Sequence, residues 1–163
     1  MTEKSIRDKL LSYFYKDAST RLMIENVFIF DWESDFFILQ RNNFCVEFEI
    51  KISKSDFKAD FNKEDKHIFL KTGIVTKKKY VSNQLQLIQT KSNHRPNKFY
   101  YVTPHGLLNI DDIPEYSGLI EIDKWDRINL IKKAPFIHKE RLELSNTICD
   151  KLYYKWLKLR MYK

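Results

Sequence analysis

Apolar and polar residues alternate through the middle of the chain and predict a sheet with one polar face. In residues 44–53 the apolar side chains occupy even positions and mostly polar ones occupy odd positions, the period of a strand. Residues 35–39 predict a second strand, and the polar run 41–43 predicts a hairpin turn between the two. Residues 21–30, rich in Ile, Val and Phe, predict a short helix end followed by another strand.

Helical periodicity appears on both sides of these strands. Apolar spacing predicts a first helix over 5–15 and a long amphipathic helix over 140–162, and Ser53 offers helix-start chemistry for a helix running to about Lys71. Three further strands are predicted at 98–103, 118–123 and 127–132. The order α-β-β-β-α-β-β-β-α predicts the α/β class, a mixed β-sheet flanked by helices in one domain over residues 1–163.

Length and composition exclude several classes of protein. The 163 residues suit one ordinary domain, and 43% hydrophobic content is enough for a core. No run approaches 18 apolar residues, so we expect no membrane span, and the charged N-terminal stretch does not predict an export signal. The two cysteines form neither a disulfide framework nor a metal motif, which predicts reduced thiols in a cytoplasmic protein.

The net charge of +7 is concentrated in one segment, residues 71–98, which we call the basic insertion. It contains seven cations and no acid, while the remaining 22 cations and 22 acids balance. Such a segment predicts an anionic partner, DNA in the first place, bound mainly through its phosphates and sensitive to salt. The residues expected to contact DNA are Lys77, Lys78, Lys79, Lys91, Arg95 and Lys98.

Carboxylates on the third strand form the candidate chemistry. Glu47, Glu49 and Lys51 share one strand face, and a three-residue hairpin turn would place Asp35 opposite Glu49 and Glu33 opposite Lys51. Such a group of acids beside a lysine suits Mg²⁺, which prefers carboxylate oxygens and water and serves phosphodiester hydrolysis. The competing interpretation is a solvated face with cross-strand ion pairs.

Four polar residues on the following helix could support this site. Asp60, Lys63 and His67 follow Asp56 at offsets of 4, 7 and 11, which predicts one helical stripe that could approach the metal site. Ser53 and Asp56 serve equally well as helix caps, and Lys63 with His67 equally well as a surface pair.

The same residues resemble a known family. Asp35, followed by Glu49-Ile50-Lys51 and a helix, resembles the PD-(D/E)XK nuclease superfamily, whose restriction-endonuclease-like core is αβββαβ. The longer string over 47–60, with Lys63 and Lys66-His67 after it, is similar to MmcB-like DNA repair proteins and their phage relatives. The later pieces that also fit are 97–104, 113–114, 118–120 and 132–135, so the resemblance covers roughly residues 33–138.

The resemblance implies a role for each residue of the motif. Asp35 and Glu49 would bind Mg²⁺, for which Mn²⁺ can substitute, and the Ile50 carbonyl would be a further ligand. Lys51 would be the catalytic lysine that serves the attacking water. Glu33 or Glu47 would assist a second ion.

The function implied is metal-dependent hydrolysis of DNA phosphodiester bonds, as an endonuclease or exonuclease in repair, recombination or phage DNA processing. The setting would be the cytoplasm of a bacterial or phage-infected cell. Ser34 stands where the superfamily has proline, which questions the register more than the chemistry. The alternative is a non-catalytic DNA-binding protein that keeps the fold. A homodimer through aromatic residues of the last helix is also an expectation, since such nucleases often pair.

Overall fold

The computed structural model describes residues 1–81 and 84–161, apart from the side chains of Lys78, Tyr80, Val81, Leu159 and Arg160. Its helices are α1 (Glu3–Phe14), α2 (Lys54–Asp60), α3 (Glu64–Thr72) and α4 (Asn146–Met161), with a short 3-10 helix at Ile110–Asp112. The strands are β1 (Thr20–Val27), β2 (Ser34–Gln40), β3 (Cys45–Ile50), β4 (Ile74–Val81), β5 (Gln84–Lys91), β6 (Lys98–Pro104), β7 (Ser117–Ile122) and β8 (Ile128–Lys132).

Six of these strands form one mixed sheet in the order β1-β2-β3-β6-β7-β8. Strands β3, β6 and β7 run parallel to one another, while the outer pairs are antiparallel. Parallel strands need a crossover, and here α2 and α3 lie in the connection from β3 to β6. The predicted single α/β domain with a mixed sheet is confirmed.

The hairpin of β2 and β3 has the predicted register. Phe36 pairs with Phe48 and Leu39 with Cys45, and the amide of Gln40 donates to the Phe44 carbonyl at 2.8 Å to close the turn. Because this register continues toward the end of β3, residues 35 and 49 come together on the same face of the sheet.

The two faces of the sheet carry different cores. On the first face, Ile6 and Leu10 of α1 pack on Phe48 and other even-numbered strand residues. On the second face, Phe57 and Leu70 of α2 and α3 pack against β6 and β7. A third cluster on this second face joins Ile148 of α4 to β1, β2 and β3. The second face therefore combines apolar packing with the acidic residues of β3.

The short helix end expected in residues 21–30 is absent, because these residues begin within β1, and two further predicted helices differ from the structure. The helix expected over 53–71 is interrupted at residues 61–63, where Phe61 caps the end of α2. The amides of residues 61–63 donate to carbonyls two or three residues earlier, as in a turn, and not four residues earlier, as in an α-helix. The predicted single stripe is therefore divided between α2 and α3. The last helix begins at Asn146, because residues 140–145 are held as irregular backbone, with the amide of Leu142 donating to the Asn43 carbonyl at 2.9 Å.

Most of the basic insertion forms a separate hairpin of β4 and β5, which we call the arm. Its ladder runs from Ile74 opposite Lys91 to Val81 opposite Gln84, and its strands pair with each other outside the main sheet. All of β5 is exposed, so the arm is a solvated ribbon. Gly73, with φ of 72°, makes the left-handed turn from α3 into the arm. Within the described ranges, no helix is both long and apolar enough to cross a bilayer.

Candidate active site

Buried ionisable residues gather where β3 ends beneath α2 and α3. We call Asp35, Glu47, Glu49, Lys51, Asp60 and Lys66 the charge cluster. All of these except the partly buried Asp35 are at most 5% exposed. Ionised groups are rarely buried to this extent unless they are paired, so the cluster is not the solvated strand face of the competing interpretation.

Glu49 lies at the centre of the cluster and is bound by two lysines. Its Oε1 accepts a hydrogen bond from Lys51 Nζ at 2.9 Å, and its Oε2 accepts one from Lys66 Nζ at 2.7 Å. The exposed Lys63 Nζ lies 3.6 Å from Oε1. Three cations drawn from the end of β3 and from the start of α3 thus converge on one carboxylate.

Asp35 is the member of the cluster whose charge is least compensated. Its Oδ2 accepts the amide N–H of Ile50 at 2.8 Å, and the described residues offer no ion pair to it. Burial, and then the nearby charge of Glu49, raise the pKa of Asp35 from 3.8 to about 7, although the Ile50 amide opposes this. Two carboxylates therefore repel each other at this edge of the sheet.

Lys51 is a buried cation with three acidic neighbours. Its Nζ lies 2.9 Å from Glu49, 3.4 Å from Asp60 and 3.7 Å from Asp56. Burial alone would lower the pKa of Lys51, but these carboxylates, Glu49 foremost, raise it above its usual value. The ammonium therefore stays protonated at neutral pH and acts as a fixed positive charge.

Lys66 is a cluster residue that the site prediction did not include. Besides Glu49 it approaches Glu47, at 3.8 Å, and its ammonium lies 5.7 and 5.1 Å from the ring centroids of Trp32 and Phe99. The sequence feature that could have identified Lys66 is the Lys66-His67 pair, which follows the segment that resembles MmcB-like proteins. Periodicity could not reveal it, because α3 is short and separate from α2.

Glu47 is fully buried and bound by an indole. Trp32 Nε1 donates to its Oε1 at 2.6 Å, while Oε2 has no hydrogen-bond partner in the part of the chain that the structure describes. Burial raises the pKa of Glu47 to about 8, with Lys66 opposing, so the group is largely a neutral acid at pH 7.

Asp60 of the charge cluster links α2 to His67 of α3. Asp60 Oδ2 accepts the Tyr101 hydroxyl at 3.1 Å and lies 3.2 Å from His67 Nε2, and its Oδ1 lies 3.1 Å from Lys63 Nζ. Burial opposes ionisation of Asp60, but the hydrogen bond from His67 and the nearby lysines hold its pKa well below the usual range. His67 Nδ1 lies 2.6 Å from the Tyr116 hydroxyl, which anchors it to the loop before β7. These side chains thus support the cluster from the helical side.

Two predicted residues lie apart from the cluster. Glu33 is exposed and precedes β2, and no ion pair joins it to Lys51 among residues 1–81 and 84–161. Ser53 caps α2, since its Oγ accepts the amide of Asp56 at 3.1 Å. Asp56 itself reaches the site through its 3.7 Å approach to Lys51.

The predicted DNA-contacting residues divide into two groups. Lys77, Lys79 and Lys91 are exposed on the arm, whereas the side chain of Lys78 lies outside the described residues. Arg95 is only 4% exposed, and its guanidinium donates to the carbonyls of Phe69 and Leu70, at 2.7 and 2.6 Å, where α3 ends. The prediction of a phosphate contact is therefore wrong for Arg95, because its donors satisfy a helix terminus.

Lys98 belongs to the main sheet and not to the arm. It begins β6, beside Val46 at the edge of the sheet opposite to the charge cluster, and its ammonium lies 4.6 Å from the Phe136 ring centroid. Burial and the neighbouring Lys133 lower its pKa. The side chain of Lys98 is partly buried, and its contact with DNA stays a prediction.

The carboxylates of the cluster are the candidate donors for a metal. Within residues 1–81 and 84–161, no group of three or more His, Cys, Asp or Glu side chains is arranged so that it could hold an ion. Asp35 and Glu49 form a pair of carboxylates, and one or two protein carboxylates completed by water is the usual arrangement for Mg²⁺.

Comparison with known proteins gives information on the fold alone. No family model matches the chain, and no curated protein matches it. Among solved structures, it is similar to the SPO1766 protein of unknown function from Silicibacter pomeroyi, with 14% identity and a TM-score of 0.56. The match covers 99% of this chain and 88% of that one. At this identity, the two proteins share an overall α/β architecture.

Proposed function

We propose that the chain is a Mg²⁺- or Mn²⁺-dependent DNA nuclease of the PD-(D/E)XK type, related to MmcB-like repair proteins. It would hydrolyse phosphodiester bonds in repair, recombination or phage DNA processing, in the cytoplasm of a bacterial or phage-infected cell. The observation that carries the proposal is the arrangement of Asp35, Glu49 and the protonated Lys51 at the end of β3. The order α1-β1-β2-β3, then helices, then β6 parallel to β3 supports the nuclease-like core.

The repulsion between Asp35 and Glu49 suits a divalent cation. Without an opposite charge, burial and Glu49 keep part of the Asp35 population protonated at neutral pH. A bound Mg²⁺ would supply charge stabilisation for the displacement and a more acidic water molecule. The two carboxylates would hold the ion.

Lys51 would act on the substrate as a positive charge. Because its carboxylate neighbours keep it protonated, it can donate hydrogen bonds to a phosphate oxygen or orient a water molecule, but it cannot take a proton. Lys66 holds the other oxygen of Glu49 and so orients that carboxylate. The proton acceptor for the attacking water is then a group other than Lys51.

The arm would bind the DNA backbone. It follows α3 directly, and Lys77, Lys79 and Lys91 are exposed on it without an acidic residue between 71 and 98. Contacts of this kind release counterions and carry little sequence information. We therefore expect binding that weakens steeply with salt.

A non-catalytic DNA-binding protein is the second candidate, and one observation favours it. Both carboxylate oxygens of Glu49 already accept hydrogen bonds from buried lysines, Lys51 and Lys66. A protein that keeps the fold as a scaffold could use this ion-pair network in place of a metal. The two candidates differ in one property, cleavage.

The test is to incubate the protein with single-stranded, duplex, flapped and four-way DNA in Mg²⁺, Mn²⁺ or EDTA. Asp35→Asn is the inactive variant, since it keeps an oxygen for the Ile50 amide, and Asp8→Asn is the control because Asp8 is exposed on α1. Metal-dependent cleavage by wild type and Asp8→Asn, lost in Asp35→Asn, supports the nuclease. Salt-sensitive binding without cleavage of any substrate supports the scaffold.

A further inference from the structure

The turn between β7 and β8, residues 123–127, presents an exposed indole. Trp125 is 64% exposed, and its ring centroid lies 4.4 Å from Lys124 Nζ and 4.7 Å from the guanidinium carbon of Arg127. An aromatic ring with two adjacent cations offers both a stacking surface and contacts for phosphate. Neither the proposed chemistry nor the arm uses this turn.

The turn is built so that the indole stays outside the core. The buried Asp123 accepts the amide N–H groups of Trp125 and Arg127 through Oδ1, at 2.9 and 3.0 Å, and the Arg127 Nε through Oδ2 at 2.7 Å. Asp126, with φ of 68°, forms an ion pair with Lys9 of α1 at 2.8 Å. Arg127 is thus held beside the ring, whereas Lys124 has no carboxylate partner among the described residues.

The turn lies at the same edge of the sheet as the charge cluster. Strands β3, β6 and β7 are parallel, so the segments that follow Ile50, Pro104 and Ile122 all emerge at this edge. In the strand order, β7 lies two positions from β3, which is roughly 10 Å across the sheet at about 4.8 Å per strand.

The N-terminus of α1 lies beside the turn. Met1 lines a shallow open groove of about 860 Å³ together with Trp125, Arg127 and His105. The groove also includes Pro104 and Ile122, the last residues of β6 and β7, so it lies at the edge where β3, β6 and β7 end.

We propose that Trp125 stacks on an unpaired base of a DNA strand that passes the charge cluster, with Lys124 and Arg127 contacting its phosphates. The inference rests on the proposed function and names its substrate class, DNA with a single-stranded segment such as a flap or a frayed end. Bases inside a duplex are stacked on each other, so a fixed indole can reach only an unpaired one. Stacking accepts any base, which agrees with contacts that do not read sequence.

The experiment compares binding of a fluorescent oligo(dT) and a blunt duplex of equal length, in EDTA so that neither is cleaved. The variants are Trp125→Ala, Trp125→Phe and, as a control exposed aromatic residue on α4, Tyr154→Ala. We expect Trp125→Ala to weaken oligo(dT) binding by about 5- to 150-fold and duplex binding by less than about twofold. The affinity of Trp125→Phe for oligo(dT) should stay within a few-fold of the wild-type affinity, and the affinity of Tyr154→Ala should equal that of wild type.

Intrinsic fluorescence gives a readout that a structural role would not change. Stacked bases quench indole emission, so oligo(dT) should quench wild-type fluorescence, and Trp125→Phe should lose this quenching although it still binds. Equal affinities of wild type and Trp125→Ala for oligo(dT), or equal losses on both substrates, would overturn the inference while leaving DNA binding intact. Absence of binding by the wild type to either DNA would instead reject the proposed function itself, and the inference with it.

Discussion

Replacing Asp35 by asparagine should stabilise the folded protein while abolishing any metal-dependent cleavage. The carboxylate is partly buried beside Glu49, and its pKa is raised from 3.8 to about 7, first by burial and then by Glu49. Its ionised form therefore opposes folding, and a neutral amide of the same shape removes this penalty. A residue kept at a cost to stability is typical of functional sites.

The magnitude follows from the raised pKa. At about 1.4 kcal/mol for each pKa unit, the ionised carboxylate weakens folding by at most about 4 kcal/mol above pH 7. The asparagine oxygen still accepts a hydrogen bond from the Ile50 amide, but a neutral acceptor forms a weaker bond than a carboxylate. This weaker bond reduces the stability gained by Asp35→Asn by about 1 kcal/mol. A net gain of roughly 2–3 kcal/mol corresponds to a melting temperature higher by about 5–10 °C for a domain of this size.

The stability gained by Asp35→Asn must increase with pH. Between pH 3.8 and 7 the unfolded state releases the Asp35 proton while the folded state keeps it, so wild-type stability falls as pH rises through this window. Below pH 3.8 the carboxyl group is neutral in both states and the difference between the proteins should nearly vanish. Glu47 titrates in both proteins, so most of its contribution cancels; the remainder comes from the Asp35 charge, which helps to raise the pKa of Glu47.

The assay is thermal unfolding of wild type, Asp35→Asn and Asp8→Asn in EDTA at pH 4, 6 and 8, repeated at pH 8 with excess Mg²⁺. We expect the Asp35→Asn increment to grow with pH, and Mg²⁺ to raise the melting temperature of wild type but not of Asp35→Asn. An increment that is absent at pH 8, or is as large at pH 4 as at pH 8, would refute the electrostatic reasoning. Equal responses of both proteins to Mg²⁺ would refute the metal assignment.

Two further predictions concern lysines in contrasting surroundings. Replacing Lys77 and Lys79 on the arm by alanine should reduce by about 2 the slope of log K for DNA binding against log salt concentration. The slope is measured by fluorescence anisotropy at several salt concentrations, with Lys16→Ala as the exposed control. An unchanged slope would show that the arm is not part of the interface. Lys66→Met should lower the free energy of unfolding in urea by about 3–5 kcal/mol, because Glu49 then loses one of its two buried ion pairs. Lys63→Met, at a 56% exposed side chain, should lower it by less than about 1 kcal/mol, so similar losses would contradict the cluster.

The hairpin of β2 and β3 illustrates what local pattern can predict. A three-residue polar turn and strict alternation on residues 44–53 led to a register in which Asp35 faces Glu49, and the observed pairing of Phe36 with Phe48 has this register. Both signals act between neighbours in the chain, so no distant contact was needed. The short helices were harder to predict, because a break at residues 61–63 depends on how α2 and α3 pack against β6 and β7.

Lysine and arginine residues illustrate the opposite case. Lys66 and Arg95 are ordinary cations in the sequence, and only the structure distinguishes them from the exposed Lys77. Lys66 is buried against Glu49 because α3 packs on the sheet. Arg95 donates hydrogen bonds to the carbonyls of Phe69 and Leu70 at the end of α3. A cation's role depends on which groups desolvate it, and those groups lie far away in the chain.

The sequence by itself determined the strand alternation, the hairpin register and the concentration of positive charge between 71 and 98. These properties depend on residue type and on short-range geometry. Only the tertiary structure decided that the carboxylates of β3 are buried, that Asp35 resists ionisation, and that Trp125 shares an edge with Lys51. The physical reason is that parallel pairing and desolvation join residues from distant parts of the chain, and no local pattern encodes which surfaces will meet.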